Sequence, residues 1–381
     1  MNGVRHVAGA SGPPPGPYDA DVVILALDRI AETEAAIASV LTQDGVARHL
    51  FVVDQGSHPE TLGRLACAIA GRDDATLVSL GANRGVPAGR NAGSALGRGR
   101  VIVGLDNDAV FAERTTLARA VAALDEAPDV GAIGFRILEA ATGYDDRSSW
   151  GYPLALLPRA GAAFDTVTFV GAGHAIRRAA WEQAGGYDER LFFCWEEYDF
   201  CLRAIERGWR VRYRGDIVVH HKVSAERRVG WSDERWFRFV RNRLYIERKW
   251  GASLLSLSPR IVGYIIKGLR NGHSVSTLRA IVGATMLPLN FVPHLPSITT
   301  RTYMWRNDRV YRGSVLRRFR QDVLGSLPHR VSAVRSDPPP IRPKIGTSSI
   351  NGRTRLPERS GGAFPAPPAA PIHFVTAQEP G

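Results

Sequence analysis

Short apolar runs alternate with amphipathic stretches along the first half of the chain. The runs are five to seven residues long and rich in Val, Ile, Leu and Phe, which is typical of strands buried on both faces of a parallel sheet. Between them, apolar residues recur at the three- and four-residue spacing of a helix. Strands are predicted over residues 21–27, 49–53, 75–80, 101–105 and 132–138, and helices over residues 33–41, 60–70 and 178–184. This alternation predicts an α/β fold built from βαβ units.

Polar side chains follow three of these predicted strands. Asp54 ends one run, a Gly-rich loop over residues 81–93 follows the next, and Asp106 and Asp108 follow the run over residues 101–105. Ligands of open parallel sheets bind beyond the carboxyl ends of the strands, so these groups are expected to border one crevice. Two neighbouring carboxylates repel each other, and their oxygens suit Mg²⁺ or Mn²⁺. The alternative is an ordinary solvated Asp-Asn-Asp turn.

The Gly-rich loop matches no common nucleotide-binding pattern. It contains neither G-x-G-x-x-G nor the Gly-Lys-Ser/Thr of a P-loop. A simple dinucleotide-dependent dehydrogenase or a P-loop kinase therefore lacks its fingerprint.

A second group of candidate residues lies near residue 200. Glu196 and Glu197 precede a helix predicted from Asp199 to residue 207, and a helix N-terminus favours ionised carboxylates, which suits a general base. Acids that merely complement the helix dipole are the alternative. His220 and His221 end the next strand and point in opposite directions, so only one of them can join a shared metal site.

Composition and charge narrow the class of protein. The three cysteines, Cys67, Cys194 and Cys201, show no C-x-x-C spacing, which argues against a disulfide framework or a zinc site and indicates a reducing compartment. The N-terminus has no apolar stretch of signal-peptide length, so we expect a cytoplasmic protein. Residues 1–200 hold 17 Lys and Arg against 26 Asp and Glu, whereas residues 201–330 hold 26 against 8. The basic half suggests a negatively charged partner: substrate phosphates, an anionic membrane surface or nucleic acid.

The ends of the chain differ from its middle. Composition predicts disorder over residues 1–18 and over the Pro-rich residues 331–381. Residues 251–330 are predicted to be basic and helical. Within them, the uncharged residues 280–300 contain too many prolines for a transmembrane helix, and residues 309–320 are basic and amphipathic. One hypothesis is that this region attaches the protein peripherally to the inner face of the cytoplasmic membrane; the alternative is a helical domain packed on the rest of the chain.

Five motifs, in this order, resemble the inverting glycosyltransferases of family 2, which have the GT-A fold. The branch they resemble is the bacterial one of rhamnosyltransferases and other cell-surface polysaccharide enzymes, and the resemblance covers about residues 20–250. The motifs are VVDQGS at residues 52–57, NRGVPAGRNAG at residues 83–93, LDND at residues 105–108, WEEYD at residues 195–199, and one histidine after the last strand. His221 fits that histidine best and His220 second. Gln55 replaces the usual Asn of the family, and Glu197 replaces its usual Asp.

The resemblance implies a nucleotide-diphospho-sugar transferase fold, Rossmann-like, with a mixed and mostly parallel sheet over residues 19–250 and a helical extension after it. Asp54 would hydrogen-bond the nucleobase, and Asp106 would contact the ribose or the water shell of the metal. Asp108 would ligate Mg²⁺ or Mn²⁺, with His221 completing the contact. The residues implied to line the nucleotide pocket are Asn83, Gly85, Gly89 and Asn91.

The resemblance also implies a catalytic base near residue 197. Glu197 is the first candidate, and Glu196 and Asp199 remain open as alternatives. Gly171 and Gly173 would let the donor sugar and the acceptor come close. Residues 241–243 (Arg-Asn-Arg) lie on a helix predicted over residues 231–250, where they either meet the diphosphate or are solvated.

The expected reaction moves a sugar from a nucleotide-diphosphate donor to a hydroxyl of a glycan or a lipid-linked acceptor, in cell-surface polysaccharide synthesis. Two other classes compete with it. A non-catalytic polyanion or nucleic-acid binder would explain the pI near 10.1, but no nucleic-acid-binding motif accompanies the basic residues. A sugar nucleotidyltransferase would share the layout but lacks its Gly-rich signature with a nearby basic residue. The sequence does not reveal the donor sugar, the nucleobase, the acceptor or the oligomeric state.

Overall fold

A computed structural model describes residues 3–222, 231–288 and 295–314. Within these ranges ten strands form one sheet: β1 (Arg5–Gly9), β2 (Ala20–Ala26), β3 (Arg48–Asp54), β4 (Ala75–Ser79), β5 (Val101–Leu105), β6 (Ala109–Phe111), β7 (Val130–Glu139), β8 (Ala163–Thr166), β9 (Gly173–Arg177) and β10 (Arg210–His221). The α-helices of the same ranges are α1 (Ile30–Leu41), α2 (Pro59–Ile69), α3 (Val86–Leu96), α4 (Thr116–Asp125), α5 (Arg178–Ala184), α6 (Glu196–Glu206), α7 (Asp233–Lys249), α8 (Leu254–Arg270), α9 (Ser274–Met286) and α10 (Ile298–Asn307).

The sheet is mixed, and its central run is parallel. The strand order is β1-β4-β3-β2-β5-β9-β7-β10-β6, with β8 also paired to β10. Strands β4, β3, β2 and β5 are parallel, whereas β9 joins β5 to β7 with antiparallel pairing on both sides. The carboxyl ends of β2, β3 and β5 therefore meet at one edge, as the βαβ pattern predicts.

Helices cover both faces of the sheet. Helices α1, α2 and α4 pack on one apolar cluster, which includes Val22 and Ile24 of β2. Helices α3, α5 and α6 pack on the other, which includes Val23 of the same strand. Because neighbouring residues of a strand point to opposite faces, burial on both sides requires the uninterrupted apolar runs seen in the sequence.

The helices after residue 231 form an extension. Helix α7 packs against α6 through an apolar cluster that includes Leu202 and Tyr245, and α8 and α9 pack on α7. Helix α10 returns to the sheet, where the Tyr303 hydroxyl hydrogen-bonds the backbone of Val211. Among the helices of the described ranges, none combines the length and the apolar composition that crossing a bilayer requires.

Three elements differ from the sequence prediction. Arg5–Gly9, within the segment predicted to be disordered, pairs antiparallel with β4, because an open sheet edge supplies backbone partners that composition does not reveal. The Gly-rich loop becomes helical at Val86, because Gly93 lets α3 approach the sheet: a Cβ there would lie 2.5 Å from a Val23 methyl group. The sequence pattern over residues 209–221 predicts two strands, 209–214 and 217–221, but the structure has one strand there, β10, with a register shift between Arg214 and Val218. The predictions for residues 315–320 and 331–381 lie outside the described residues.

Candidate active site

A cleft of about 580 Å³ lies along the carboxyl edge of the parallel strands. Chain segments that follow β2, β3, β4 and β5 form one side of it, and the start of α6 and the end of β10 form the other. The polar and small residues that line it include Arg29, Gln55, Asn83, Gly85, Asp106, Ser149, Gly171, Cys194, Glu196, Glu197 and His221.

Asp106, Asp108 and His221 come together at this cleft. One ligand atom from each lies within 4.8 Å of the others, and the Nε2 atom of His221 is 3.3 Å from an Asp108 carboxylate oxygen. The antiparallel pairing of β6 with β10 causes this convergence, because it sets His221 opposite Ala109, the residue after Asp108. His220 is not among the residues that line the cleft. Two carboxylates and one imidazole are a donor set that fits Mn²⁺ or Mg²⁺.

Asp146 fixes the orientation of the His221 ring. Its carboxylate lies 2.9 Å from Nδ1 of His221 and is held in turn by the hydroxyls of Ser148 and Ser149. Burial opposes a charged imidazole, but hydrogen bonds to Asp108 and Asp146 outweigh it and raise the pKa of His221 to about 9. A carboxylate behind a ligating histidine is the usual arrangement that turns the other ring nitrogen towards a metal. The sequence gives no signal for Asp146, which lies in a loop without periodicity.

Two arginines balance the carboxylates of the cluster. Arg29 donates to the second oxygen of Asp108 at 2.6 Å. Arg90 is buried in α3 and donates to Asp106 at 2.9 Å and to the carbonyl of Gly171 at 3.0 Å. Arg90 thus joins the metal cluster to the segment that faces Glu197. The sequence analysis includes Arg90 in the NRGVPAGRNAG motif but assigns it no role.

Glu196 and Glu197 begin α6 and line the same cleft. Gly171 faces the Glu197 carboxylate so closely that a Cβ at residue 171 would collide with it. Burial raises the pKa of Glu197 to about 7, and the nearby Arg90 opposes this shift. Glu196 is 3% exposed, and burial together with repulsion from Glu197 raises its pKa well above the ordinary value.

The loop that leads into α6 has an unusual backbone. Phe192, Cys194 and Trp195 adopt positive φ angles of 64°, 71° and 74°, which are costly for residues with side chains. The amide of the fully buried Asn242 holds this loop by donating to the carbonyls of Leu191, Phe193 and Cys194 at 2.8–2.9 Å. Asn242 is therefore neither solvated nor in the cleft, and the sequence analysis missed its structural role.

Asp54 does not face the cleft as the sequence analysis expects. Its carboxylate is fully buried and accepts hydrogen bonds from the backbone of Gly56 and Ser57 and from the Ser79 hydroxyl. Burial opposes ionisation, but these hydrogen bonds hold the pKa of Asp54 below its ordinary value. The next residue, Gln55, lines the cleft in its place.

Three other expected site residues also support the site from outside the cleft. Asn91 exchanges hydrogen bonds with the backbone of Tyr187, and so ties α3 to the segment before α6. Asp199 is fully buried and pairs with Arg203 and Lys249 at 2.9 Å each. Gly89 leaves room for the Gln55 side chain, since a Cβ on residue 89 would lie 3.0 Å from the Nε2 atom of Gln55. These roles differ from the expected ones because the polar atoms of Asn91 and Asp199 are already bonded to other parts of the protein.

Residues 21–185 match the sequence model of Glycosyl transferase family 2. None of the curated protein sequences compared with the chain matches it. Among solved structures, GalNAc-T7 with UDP, GalNAc and Mn²⁺ aligns with a TM-score of 0.53 and 13% identity over 82% of this chain and 57% of that chain. The mannosyltransferase PcManGT from Pyrobaculum calidifontis, in complex with GDP-Man and Mn²⁺, aligns with a TM-score of 0.48 and 17% identity over 83% and 88%. TarS of S. aureus aligns with a TM-score of 0.45 and 16% identity over 66% and 43%.

Residues 21–185 thus resemble a glycosyl transferase family 2 domain, and the chain shares the GT-A fold with GalNAc-T7. Asp106 and Asp108 fall within the matched residues, whereas Glu196, Glu197 and His221 lie beyond them. The rhamnosyltransferase-like branch stays a prediction.

Proposed function

We propose that the protein transfers a sugar, with inversion, from a nucleotide-diphosphate donor to an acceptor hydroxyl in the synthesis of a cell-surface polysaccharide. One observation carries the proposal: Asp106 and His221, which cluster with the buried Asp108, line the same cleft as Glu197. A bound Mg²⁺ or Mn²⁺ at that cluster would neutralise the diphosphate as it leaves. GalNAc-T7, which shares the fold, was solved with UDP and Mn²⁺, and this supports such a cofactor.

The side chains of the cleft divide the remaining work. Asp108 and His221 would hold the cation on the diphosphate side, and Arg29 adds positive charge there. Glu197, whose carboxylate lies beside Gly171, would accept the proton of the acceptor hydroxyl as the new glycosidic bond forms. Attack from the face opposite the leaving nucleotide inverts the anomeric centre. Gln55 and Asn83, which line the cleft, would contact the nucleoside.

Nucleotide release from a panel of UDP-, GDP- and dTDP-sugars with Mn²⁺ tests the proposal. We expect one donor to be turned over and Asp108→Ala to reduce its turnover by more than about a hundredfold, as expected for loss of a metal ligand. Asp44→Ala is a matched control, because Asp44 forms an exposed ion pair with Arg114. Turnover that is equal in the Asp108 variant and the wild type would refute the metal role, and turnover of no donor would refute the function.

We also propose that α8 and α9 rest on an anionic membrane surface where a lipid-linked acceptor is available. Large apolar side chains on these two helices are unusually exposed, among them Leu255 at 83%, Val275 at 73% and Leu278 at 65%. Residues 248–307 contain eight Lys and Arg and no Asp or Glu. Exposed apolar groups together with an excess of basic residues are the combination that binds an interface containing anionic lipids.

Flotation with liposomes that contain phosphatidylglycerol tests this surface. We expect the protein to float at low salt, and Leu255→Glu with Leu278→Glu to prevent it. Leu154→Glu is the matched control, since Leu154 is 66% exposed on a 3-10 turn outside these helices. Failure to float, or a dimer in solution that the same double variant dissociates, would overturn the membrane proposal.

A further inference from the structure

A second cavity adjoins the cleft. It has a volume of about 420 Å³ and shares Ser149, Val170, Gly171 and Glu197 with the first. Its other walls come from α7, α8 and the 3-10 turn that follows α10. Because the Glu197 carboxylate borders both spaces, a molecule in the second cavity has direct access to it.

The walls of this cavity carry an excess of positive charge. Four arginines from three separate elements line it: Arg243, Arg260, Arg309 and Arg312. Apart from Glu197, the acidic residues that line it are Glu247 and Asp308. Several arginines that line one cavity create a local positive potential, and this potential attracts anions.

The two carboxylates only partly neutralise these arginines. Glu247 is shared between Arg243, at 3.1 Å, and Arg260, at 2.9 Å. Asp308 pairs with Arg312 through two hydrogen bonds. Arg309 makes no ion pair with any residue in the described part of the chain, so its guanidinium is available to a ligand.

Arg243 is also held in place by aromatic rings. Its guanidinium carbon lies 4.9 Å from the Trp195 ring and 4.6 Å from the Tyr198 ring. Both aromatic residues line the cavity and flank the glutamates of α6. Arg243 is therefore fixed relative to Glu197 before any ligand binds, which lowers the cost of ordering this part of the wall.

We propose that this second cavity binds the acceptor through a phosphate or diphosphate group that the acceptor carries. The proposal rests on the proposed function, because it makes the cavity the acceptor side of the same reaction. A guanidinium can donate two parallel N–H bonds to phosphate oxygens, so Arg309 can hold the phosphate, and Arg312, paired with Asp308 on the same turn, adds positive charge beside it. A lipid-linked saccharide diphosphate and a soluble phosphorylated glycan both carry such a group.

Binding of simple phosphate probes to the full-length protein tests the site without any turnover. Isothermal titration with glucose 1-phosphate, farnesyl phosphate and methyl glucoside is carried out in EDTA, so that the metal cluster cannot hold the phosphate. We expect at least one phosphate probe to bind, methyl glucoside to bind at least tenfold more weakly, and Arg309→Gln to weaken phosphate binding about tenfold. Arg306→Gln is the matched control, because Arg306 is exposed on α10 and does not line the cavity.

Each outcome separates the sources of the phosphate group. If only farnesyl phosphate binds in an Arg309-dependent way, the acceptor is lipid-linked. If only glucose 1-phosphate does so, the acceptor is soluble. If both do so, the site recognises the phosphate group that the two share. Binding of neither probe, binding unaffected by Arg309→Gln, or equal binding of methyl glucoside would overturn the proposal. Because neither donor nor metal is present, failure of the donor panel would leave this result unaffected, and the two proposals can fail separately.

Discussion

Replacing Asn242 should damage catalysis more than it damages folding. The side-chain amide donates to the carbonyls of Leu191, Phe193 and Cys194, and so fixes the loop that begins α6. The amide has two N–H groups to share among these three carbonyls, and at about 1 kcal/mol net per hydrogen bond the group contributes about 2 kcal/mol. Residues at positive φ cost about 1–3 kcal/mol each, and three of them lie in this loop.

These opposing energies determine the expected result. When Asn242→Ala releases the loop, relaxation of its strained backbone recovers part of the lost hydrogen-bond energy, so we expect a loss of about 2 kcal/mol or less in the free energy of unfolding. A protein of this size then loses about 3 °C or less in Tm. Glu197 follows the loop by two residues, and a displacement of about 1 Å at a reacting group costs about a hundredfold in kcat. We therefore expect kcat to fall about a hundredfold while the KM for the donor changes little.

Thermal unfolding and steady-state transfer kinetics on three variants test this reasoning. Asn242→Asp keeps the side-chain volume and the acceptor for Arg241 but has no N–H to donate, so it should behave like Asn242→Ala or worse. The control is Asn271→Ala, which removes an amide that donates to the Lys267 carbonyl at the end of α8 and should leave kcat unchanged. An unchanged kcat in both Asn242 variants, with the expected fall in Tm, would show that the clamp is only structural.

Three further results are expected. Gly171→Ala should reduce kcat at least tenfold, because the new Cβ collides with the Glu197 carboxylate. The control, Gly63→Ala on the exposed face of α2, should retain kcat and stabilise the fold by about 0.5–1 kcal/mol. Equal kcat in the two variants would contradict the role of Gly171. The kcat/KM for transfer should fall tenfold per pH unit below the Glu197 pKa of about 7, because only the ionised base accepts a proton, and a flat profile from pH 5 to 8 would exclude that base. Asp146→Asn should weaken Mn²⁺ binding about 10- to 100-fold in titrations that follow the paramagnetic signal, since His221 loses its orienting partner; unchanged affinity would remove Asp146 from the site.

The sequence predicts the central sheet well because burial on both faces leaves a local signature. Strands β2, β3, β4 and β5 begin and end within one residue of the predicted runs. The position of Asp106 and Asp108 beyond β5 follows from the same pattern, since residue types at a strand end are readable without tertiary contacts. The choice of His221 over His220 came from the resemblance, and the structure sets His221 beside Asp108 through strand pairing.

The supporting residues could not be predicted because they act across long sequence separations. Asp146 meets His221 over 75 residues, and Arg90 meets Gly171 over 81. No periodicity links such pairs, and each residue type is common in surface loops as well. Asp54 illustrates a second difficulty. An acid at a strand end can accept hydrogen bonds from the turn that follows it as readily as it can face a ligand, and only the hydrogen bonds in the structure distinguish the two cases.

The environments of the three acidic candidates support one of them as the base. Asp199 is fully buried and held by Lys249 and Arg203, so its oxygens are already engaged as acceptors. Glu196 is 3% exposed and does not border the second cavity, and burial together with repulsion from Glu197 raises its pKa well above the ordinary value. Glu197 alone among the three borders both cavities and has a pKa of about 7, close to the value at which a base both ionises and accepts a proton effectively. Burial can drive the pKa values of two neighbouring carboxyl groups apart, and this separates a base from a supporting acid. The start of α6 has this arrangement.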